Sequence, residues 1–235
     1  MRCCFITLGC RVNQYESDAM AELLTQAGFE ITENPAEADV CIVNTCTVTN
    51  IADRKSRQML SKAHKLNPNA KLIAAGCFAQ RSPEAAAKLE GVYAVLGSAD
   101  KNRVVELVKS IAEGRENEPK SEKCNCGEKE LCDCCGGVKK FEKPENSECS
   151  GNAAGGAKIL VRDVMHEHEF EEMSAVHEGR TRAYLKIQDG CNMFCTYCAI
   201  PYARGGLRSR SIESVRAEAE KLNNEGFSEV VLTGI

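Results

Sequence analysis

The chain has 235 residues, 43% of them hydrophobic and 27% charged, and a formal net charge of −4. That balance excludes a chain disordered throughout, and the length allows one large domain or two smaller ones. No apolar run approaches the ~20 residues of a membrane-spanning helix, so a spanning protein is excluded as an expectation.

Predicted strands and helices alternate through the first part. Cys3–Leu8 is an apolar run. Extended to Cys10 it is near the lower limit of a signal-peptide core, and it reads better as a strand. Tyr15–Ala27 has helical spacing at Met20, Leu23, Leu24 and Ala27, with Gly28 as a natural stop. Asp39–Asn44 has a buried-strand pattern, and Asn50–Leu66 reads as a helix ending before Pro68. Lys71–Ala75 is a strand, Pro83–Leu89 a short helix, Val92–Leu96 a strand and Lys101–Ala112 a helix. Four strands alternating with helices predict an α/β fold with a doubly wound parallel sheet. No nucleotide-type Gly-rich turn follows the first strand.

The rhythm breaks in the middle. Residues 115–158 are rich in Glu, Lys, Gly, Asn and Cys, and Asn152–Gly156 has a linker composition. Ile159–Val164 reads as a strand, and His166–Glu178 is acidic. The pattern then restarts. Arg182–Gln188 alternates like a strand, a Cys- and Gly-rich loop runs to Arg210, Ile212–Gly226 is helical, and Glu229–Thr233 is a second parallel strand. Two strands neither close a barrel nor bury both faces. This last unit is therefore expected to open a larger (β/α) domain, and the chain to be part of a longer protein. The expected domains are 1–114, an acidic insert at 115–179, and 180–235, with net charges of 0, −6 and +2.

Cysteine is the compositional outlier, with 15 residues. With no convincing signal peptide, a reducing cytoplasm is the default, and free thiolates with metal are expected rather than disulfides. Cys10, Cys46 and Cys77 each lie just past the C-terminal end of a predicted strand. In a parallel α/β sheet those ends form one ligand-binding edge, so three thiols distant in sequence are expected to converge. Cys191, Cys195 and Cys198 are spaced C-x3-C-x2-C in one loop. Three thiolates on a short loop suit an iron–sulfur cluster with one open iron. A structural zinc site wants a fourth ligand, and c-type haem attachment wants a His where Ala199 stands.

The C-x3-C-x2-C loop, with Tyr197 before its last Cys, resembles the radical S-adenosylmethionine (SAM) enzymes. The longer string Ile187–Pro201, followed by Ala203-Arg204-Gly205 and Arg208-Ser209-Arg210, resembles the methylthiotransferases among them. The three separated N-terminal cysteines point the same way. Thr7–Ser17 resembles the subfamily acting on N6-threonylcarbamoyladenosine (t6A) in tRNA. That resemblance implies a flavodoxin-like N-terminal domain and the start of a radical-SAM partial barrel. It implies one [4Fe-4S] cluster on Cys191, Cys195 and Cys198, whose open iron chelates SAM and whose electron cleaves it to a 5′-deoxyadenosyl radical. It implies a second [4Fe-4S] cluster on Cys10, Cys46 and Cys77, holding the sulfur to be inserted at C2 of the adenosine beside the anticodon. Tyr197, Thr233 and Gly234 are the implied SAM contacts, and no side chain is nominated as acid or base. The implied partners are the tRNA anticodon stem-loop and an electron donor such as flavodoxin or ferredoxin, with no membrane. Residues 1–235 alone are expected to give no turnover, because the family has further barrel strands and an RNA-binding domain.

Alternatives stay open at this stage: a sister enzyme acting on isopentenyladenosine or a ribosomal protein, or a non-catalytic iron–sulfur or metal-binding protein. Cys124, Cys126, Cys132, Cys134, Cys135 and Cys149 match no zinc-finger template and are expected on a solvated linker. His166, His168 and His177 share its acidic surroundings. Two basic groups are candidates for phosphate contact: Arg204, Arg208 and Arg210, and the helix bearing Arg54, Lys55, Arg57, Lys62 and Lys65.

Overall fold

The computed structural model describes residues 1–114, 156–175 and 181–235. Its centre is a six-stranded sheet in the order β2-β1-β3-β4-β5-β6. The strands are β1 (Arg2–Thr7), β2 (Glu30–Thr32), β3 (Val40–Thr45), β4 (Lys71–Gly76), β5 (Val92–Leu96) and β6 (Lys158–Leu160). Every pairing among them is parallel. β3 lies in the middle with all six residues buried, which is why Val40-Cys41-Ile42-Val43 shows no alternation. One apolar layer forms around Tyr15, Met20, Leu24, Ile42 and Leu107, and a second around Val43, Leu60, Leu72 and Phe78. The chain moves from β1 outward to β2, then back past β1 to β3. The order therefore reverses between β1 and β3, the switch point of a flavodoxin-like sheet.

Helices α1 (Arg11–Gln26), α2 (Asn50–Leu66), α3 (Cys77–Arg81), α4 (Pro83–Ala87) and α5 (Val104–Ala112) connect the strands. α2 has the predicted limits. Its N-cap, Thr49, accepts a hydrogen bond from the Ala52 amide at 3.1 Å, and Pro68 follows its end. α1 begins four residues before the expected Tyr15. Asn13, Glu16 and Ser17 are buried on its inner side, and three polar residues there interrupt the apolar spacing. β2 had no sequence signal, being three residues at a sheet edge. β6 arises within 115–179 and pairs with β5 at Ala94↔Lys158, so this stretch contributes to the sheet. Met173 and Ala175 from the same stretch join the first apolar layer.

The last part is smaller. β7 (Ala183–Lys186) pairs parallel with β10 (Val230–Thr233), and α7 (Ile212–Asn224) connects them, as the spacing predicts. The loop after β7 is more ordered than predicted. It holds α6 (Ile200–Arg204) and an antiparallel pair, β8 (Gln188–Asp189) with β9 (Arg208–Ser209).

Gly76 ends β4 at φ +86°, ψ −158°, a region open in practice only to glycine. A β carbon there would lie 2.3 Å from Asn44 Oδ1 and 2.7 Å from the Thr45 carbonyl oxygen. The second contact is backbone of the central strand and has nowhere to retreat. Gly76→Ala should therefore destabilise the protein by about 1–3 kcal/mol, read as a lower urea midpoint.

Candidate functional site

The C-terminal edge of the sheet gathers the first cysteine triad. Thr45 of β3 is in register with Gly76 of β4, and the next residue on each strand is Cys46 and Cys77. Adjacent strands lie about 4.8 Å apart, so these two cysteines leave the sheet side by side. Cys10 follows β1 on the other side of β3 and starts α1. A β carbon on Gly9 would lie 3.0 Å from Cys46 Sγ, so the Gly9-Cys10 turn packs directly on that thiol. Cys10 and Cys46 flank the β1/β3 switch point. Cys46 and Cys77 are 7% and 2% exposed, whereas Cys10 is open to solvent. Burial pushes the Cys77 thiol up, against the lowering pull of Arg204 and Lys101.

The second triad lies on the turn between β8 and α6. The Cys191 amide donates to the Gly205 carbonyl at 3.1 Å, and the Cys198 amide to the Cys195 carbonyl at 2.9 Å. Phe194 takes a left-handed conformation, φ +45°, between the first two cysteines. Cys195 is exposed, Cys191 and Cys198 half-buried. Tyr197 is 89% exposed. Thr233 ends β10 in register with Lys186, and Gly234 lies against Gln188, where a β carbon would come within 2.9 Å of the Gln188 β carbon.

A buried polar network lies between the triads. The Glu16 carboxylate of α1 accepts from Arg204 Nη1 at 2.8 Å and Nη2 at 3.1 Å, and from Lys186 Nζ at 2.7 Å. Lys101 Nζ stands 3.3 Å from the same carboxylate. Asp189 accepts from Lys186 at 2.7 Å and from Arg204 at 2.9 Å. Arg204 also donates to Asn13 Oδ1 at 2.8 Å. Asn13 ties to the first triad. Its Nδ2 donates to the Leu8 and Thr45 carbonyls at 2.9 Å each, and Cys10 Sγ lies 3.4 Å from its Oδ1. Asp189 ties to the second triad, accepting from the Gly190 amide at 3.0 Å, one residue before Cys191. Asn13, Arg204 and Asp189 thus form a continuous polar link between the cysteine sets.

Burial alone would raise the Glu16 carboxyl, but Arg204, Lys101 and Lys186 together hold it well below the carboxylate range. Burial likewise opposes charge on Lys186, and Glu16 and Asp189 raise it nonetheless. Four buried cations, Lys101, Lys186, Arg204 and Arg208, face two carboxylates, Glu16 and Asp189. Among the described residues these cations outnumber the two carboxylates, and Arg204 and Lys101 act on Cys77. A cluster held by three thiolates is anionic, so the donor set and its setting fit such a group. Among the described residues, no three His, Cys, Asp or Glu are close enough to hold a single metal ion. A polynuclear cluster sets its ligands wider apart than one ion does.

One expectation needs correction. Arg204, Arg208 and Arg210 do not form a phosphate-binding surface. Arg204 and Arg208 are buried, and Arg210 pairs with Glu172 at 2.8 Å and Glu218 at 3.6 Å. A run of arginines without intervening acids looked solvated only because the carboxylates come from elsewhere in the chain. Asn13, Glu16 and Asp189 lie within the motif strings and Lys101 and Lys186 outside them, but nothing in the sequence pairs these five residues, because their contacts join distant parts of the chain. His166 stands 3.6 Å from Asp163, and among the described residues it belongs to no group of three metal-binding side chains. His177 and the six insert cysteines lie outside the described residues.

Residues 2–97 match the uncharacterized protein family UPF0004, and residues 185–235 match the radical SAM superfamily. Over 98% of its length the chain is 37% identical to the threonylcarbamoyladenosine tRNA methylthiotransferase MtaB of Bacillus subtilis. Along nearly its whole length the chain is thus similar to methylthiotransferases, and its last part to radical SAM proteins. The MtaB of Aquifex aeolicus is 35% identical over the whole chain, and the ribosomal protein uS12 methylthiotransferase RimO of Chloroflexus aurantiacus is 31% identical over 97% of it. The chain spans 43%, 48% and 44% of those three relatives, less than half of each.

Neutralising the buried carboxylate tests the network. Glu16→Gln leaves three buried cations short of a charge and should cost about 3–5 kcal/mol, measured by urea unfolding. Because the folded carboxyl is depressed, its stabilisation is present above the ordinary carboxylate range and lost as pH falls through the folded value. The gap between wild type and Glu16→Gln should therefore hold at neutral pH and narrow on acidification.

Proposed function

We propose that the protein is a radical SAM methylthiotransferase that modifies C2 of N6-threonylcarbamoyladenosine beside the anticodon of tRNA. The observation that carries this reading is the pairing of two cysteine triads through the Asn13–Arg204–Asp189 link. The similarity to the two MtaB relatives supports the nucleoside.

In this reading Cys191, Cys195 and Cys198 hold one [4Fe-4S] cluster, and Cys10, Cys46 and Cys77 hold a second. When bound, cluster and SAM together supply one-electron cleavage of SAM and hydrogen abstraction from an unactivated carbon. The protein's own work is positioning and shielding. Tyr197, Thr233 and Gly234 contact SAM. Cys46 and Cys77 keep their side of the second cluster dry, and the exposed Cys10 side faces the substrate. Glu16, Arg204 and Asp189 fix the spacing of the two centres. The RNA partner is the anticodon stem-loop, the electron comes from a flavodoxin or ferredoxin, and the setting is cytoplasmic. Among the described residues no helix is long and apolar enough to cross a membrane.

Two measurements test this. Mass spectrometry of tRNA nucleosides from cells lacking the gene should show loss of the 2-methylthio derivative and accumulation of unthiolated t6A. Unchanged tRNA together with loss of a methylthio group from protein uS12 would instead favour the RimO-like reading. Iron analysis of the reconstituted protein should give about eight irons per chain, and Cys191→Ala about half of that. A count of four or fewer that ignores the substitution would sink the two-cluster assignment.

A further inference from the structure

α2 carries five cations that make no ion pair among the described residues, although the Arg57 guanidinium also lies 5.5 Å over the Phe78 ring. Arg54, Lys55, Arg57, Lys62 and Lys65 are all exposed. At 100° per residue they occupy an arc of roughly 160°. Ser56, Leu60 and Ala63 occupy the opposite, buried side. Among the described residues none of the five has an ion-pair partner, whereas Arg103, Arg182 and Arg210 each have at least one. Asp53, the one acidic residue in the helix, is turned to the Thr47 hydroxyl. Arg54 with Arg57, and Lys62 with Lys65, stand three residues apart, where like charges repel. Residues 1–114 are neutral in sum, so this concentration is a segregation of charge and not a general excess.

The ridge is fixed to the first cysteine triad. Ser56 Oγ accepts from the Cys46 amide at 3.1 Å and donates to the Cys46 carbonyl at 2.8 Å. At this end stand two exposed apolar residues, Ile51 at 68% and Val48 at 45%. From there the cations extend along about 16 Å of helix.

We propose that this face of α2 binds the phosphodiester backbone of the tRNA and leads it toward Cys46. The proposal rests on the tRNA reading given above. A line of cations without ion-pair partners among the described residues matches an evenly charged strand, and the polyanion relieves their mutual repulsion. An acidic protein would call for an apolar centre ringed by charge. Here the apolar residues stand at one end, beside the cysteines, where an unstacked nucleoside would find them.

The test compares the iron-loaded full-length protein with its R54Q/K55Q/R57Q/K62Q/K65Q variant. Glutamine keeps helix propensity, and circular dichroism checks the fold. The probe is unfractionated tRNA from cells lacking the gene, titrated at several salt concentrations. The Kd should rise at least about tenfold near ~0.1 M salt, and the slope of log K against log salt should shrink by about 3–4. Should the fivefold variant fail to fold, K62Q/K65Q should still lower the slope by about 1–2. Unchanged affinity and slope overturn the ridge while leaving the tRNA reading intact. Absence of tRNA binding by the wild type overturns both. Normal tRNA binding with slower reduction by flavodoxin overturns the ridge and gives this face to the electron donor.

Discussion

A single carboxylate that cannot reach water organises this molecule. Glu16 lies on the inner side of the first helix, and an isolated buried carboxylate would cost far more than a small fold can offset. Its counter-charges come from three distant places: Lys101 after the fifth strand, Lys186 at the end of the seventh, and Arg204 at the end of the sixth helix. Satisfying Glu16 therefore obliges the sheet and the following β-loop-α-β unit to dock in one way. Asp189 and Asn13 extend the same logic to either side, so that electrostatic necessity also fixes the geometry between the two sets of thiols.

The sheet gives the first set its form. Parallel strands deliver their following residues to one edge, and the reversal of order between β1 and β3 opens a crevice there. Cys46 and Cys77 emerge next to one another because Thr45 and Gly76 are in register, and glycine at 76 lets the strands close without a clash. The second set depends on no sheet. A short turn, braced by hydrogen bonds from Cys191 to Gly205 and from Cys198 to Cys195, arranges it locally. The two sites differ accordingly in exposure, one mostly enclosed and the other open to a large ligand.

Much of this was legible in the residues. The central strands and α2 declared themselves because each is long and uniformly patterned, as Val40–Val43 and Asn50–Leu66 show. The strand-end position of Cys10, Cys46 and Cys77 followed from fold class alone. What stayed hidden depends on partners far along the chain. Asn13 and Glu16 disguised the start of the first helix, since a buried polar residue breaks the apolar period that reveals burial. Arg204 and Arg208 resembled a nucleic-acid patch because sequence shows charge but not its compensation. The edge strand β2 is too short to produce a period, and β6, Lys158–Leu160, keeps only the start of the strand expected at Ile159–Val164.

The distance between Glu16 and Arg204 also bears on how the protein is made. They are 188 residues apart. At roughly 5–20 residues per second, the ribosome supplies the arginine about ten to forty seconds after the glutamate. During that interval the sheet can assemble its apolar layers, but its acidic residue has no guanidinium to meet. The N-terminal half therefore reaches its final packing only after residues 183–204 have left the exit tunnel. Synthesis order thus places closure of the interior after the last of the six proposed cluster ligands, Cys198, has been translated.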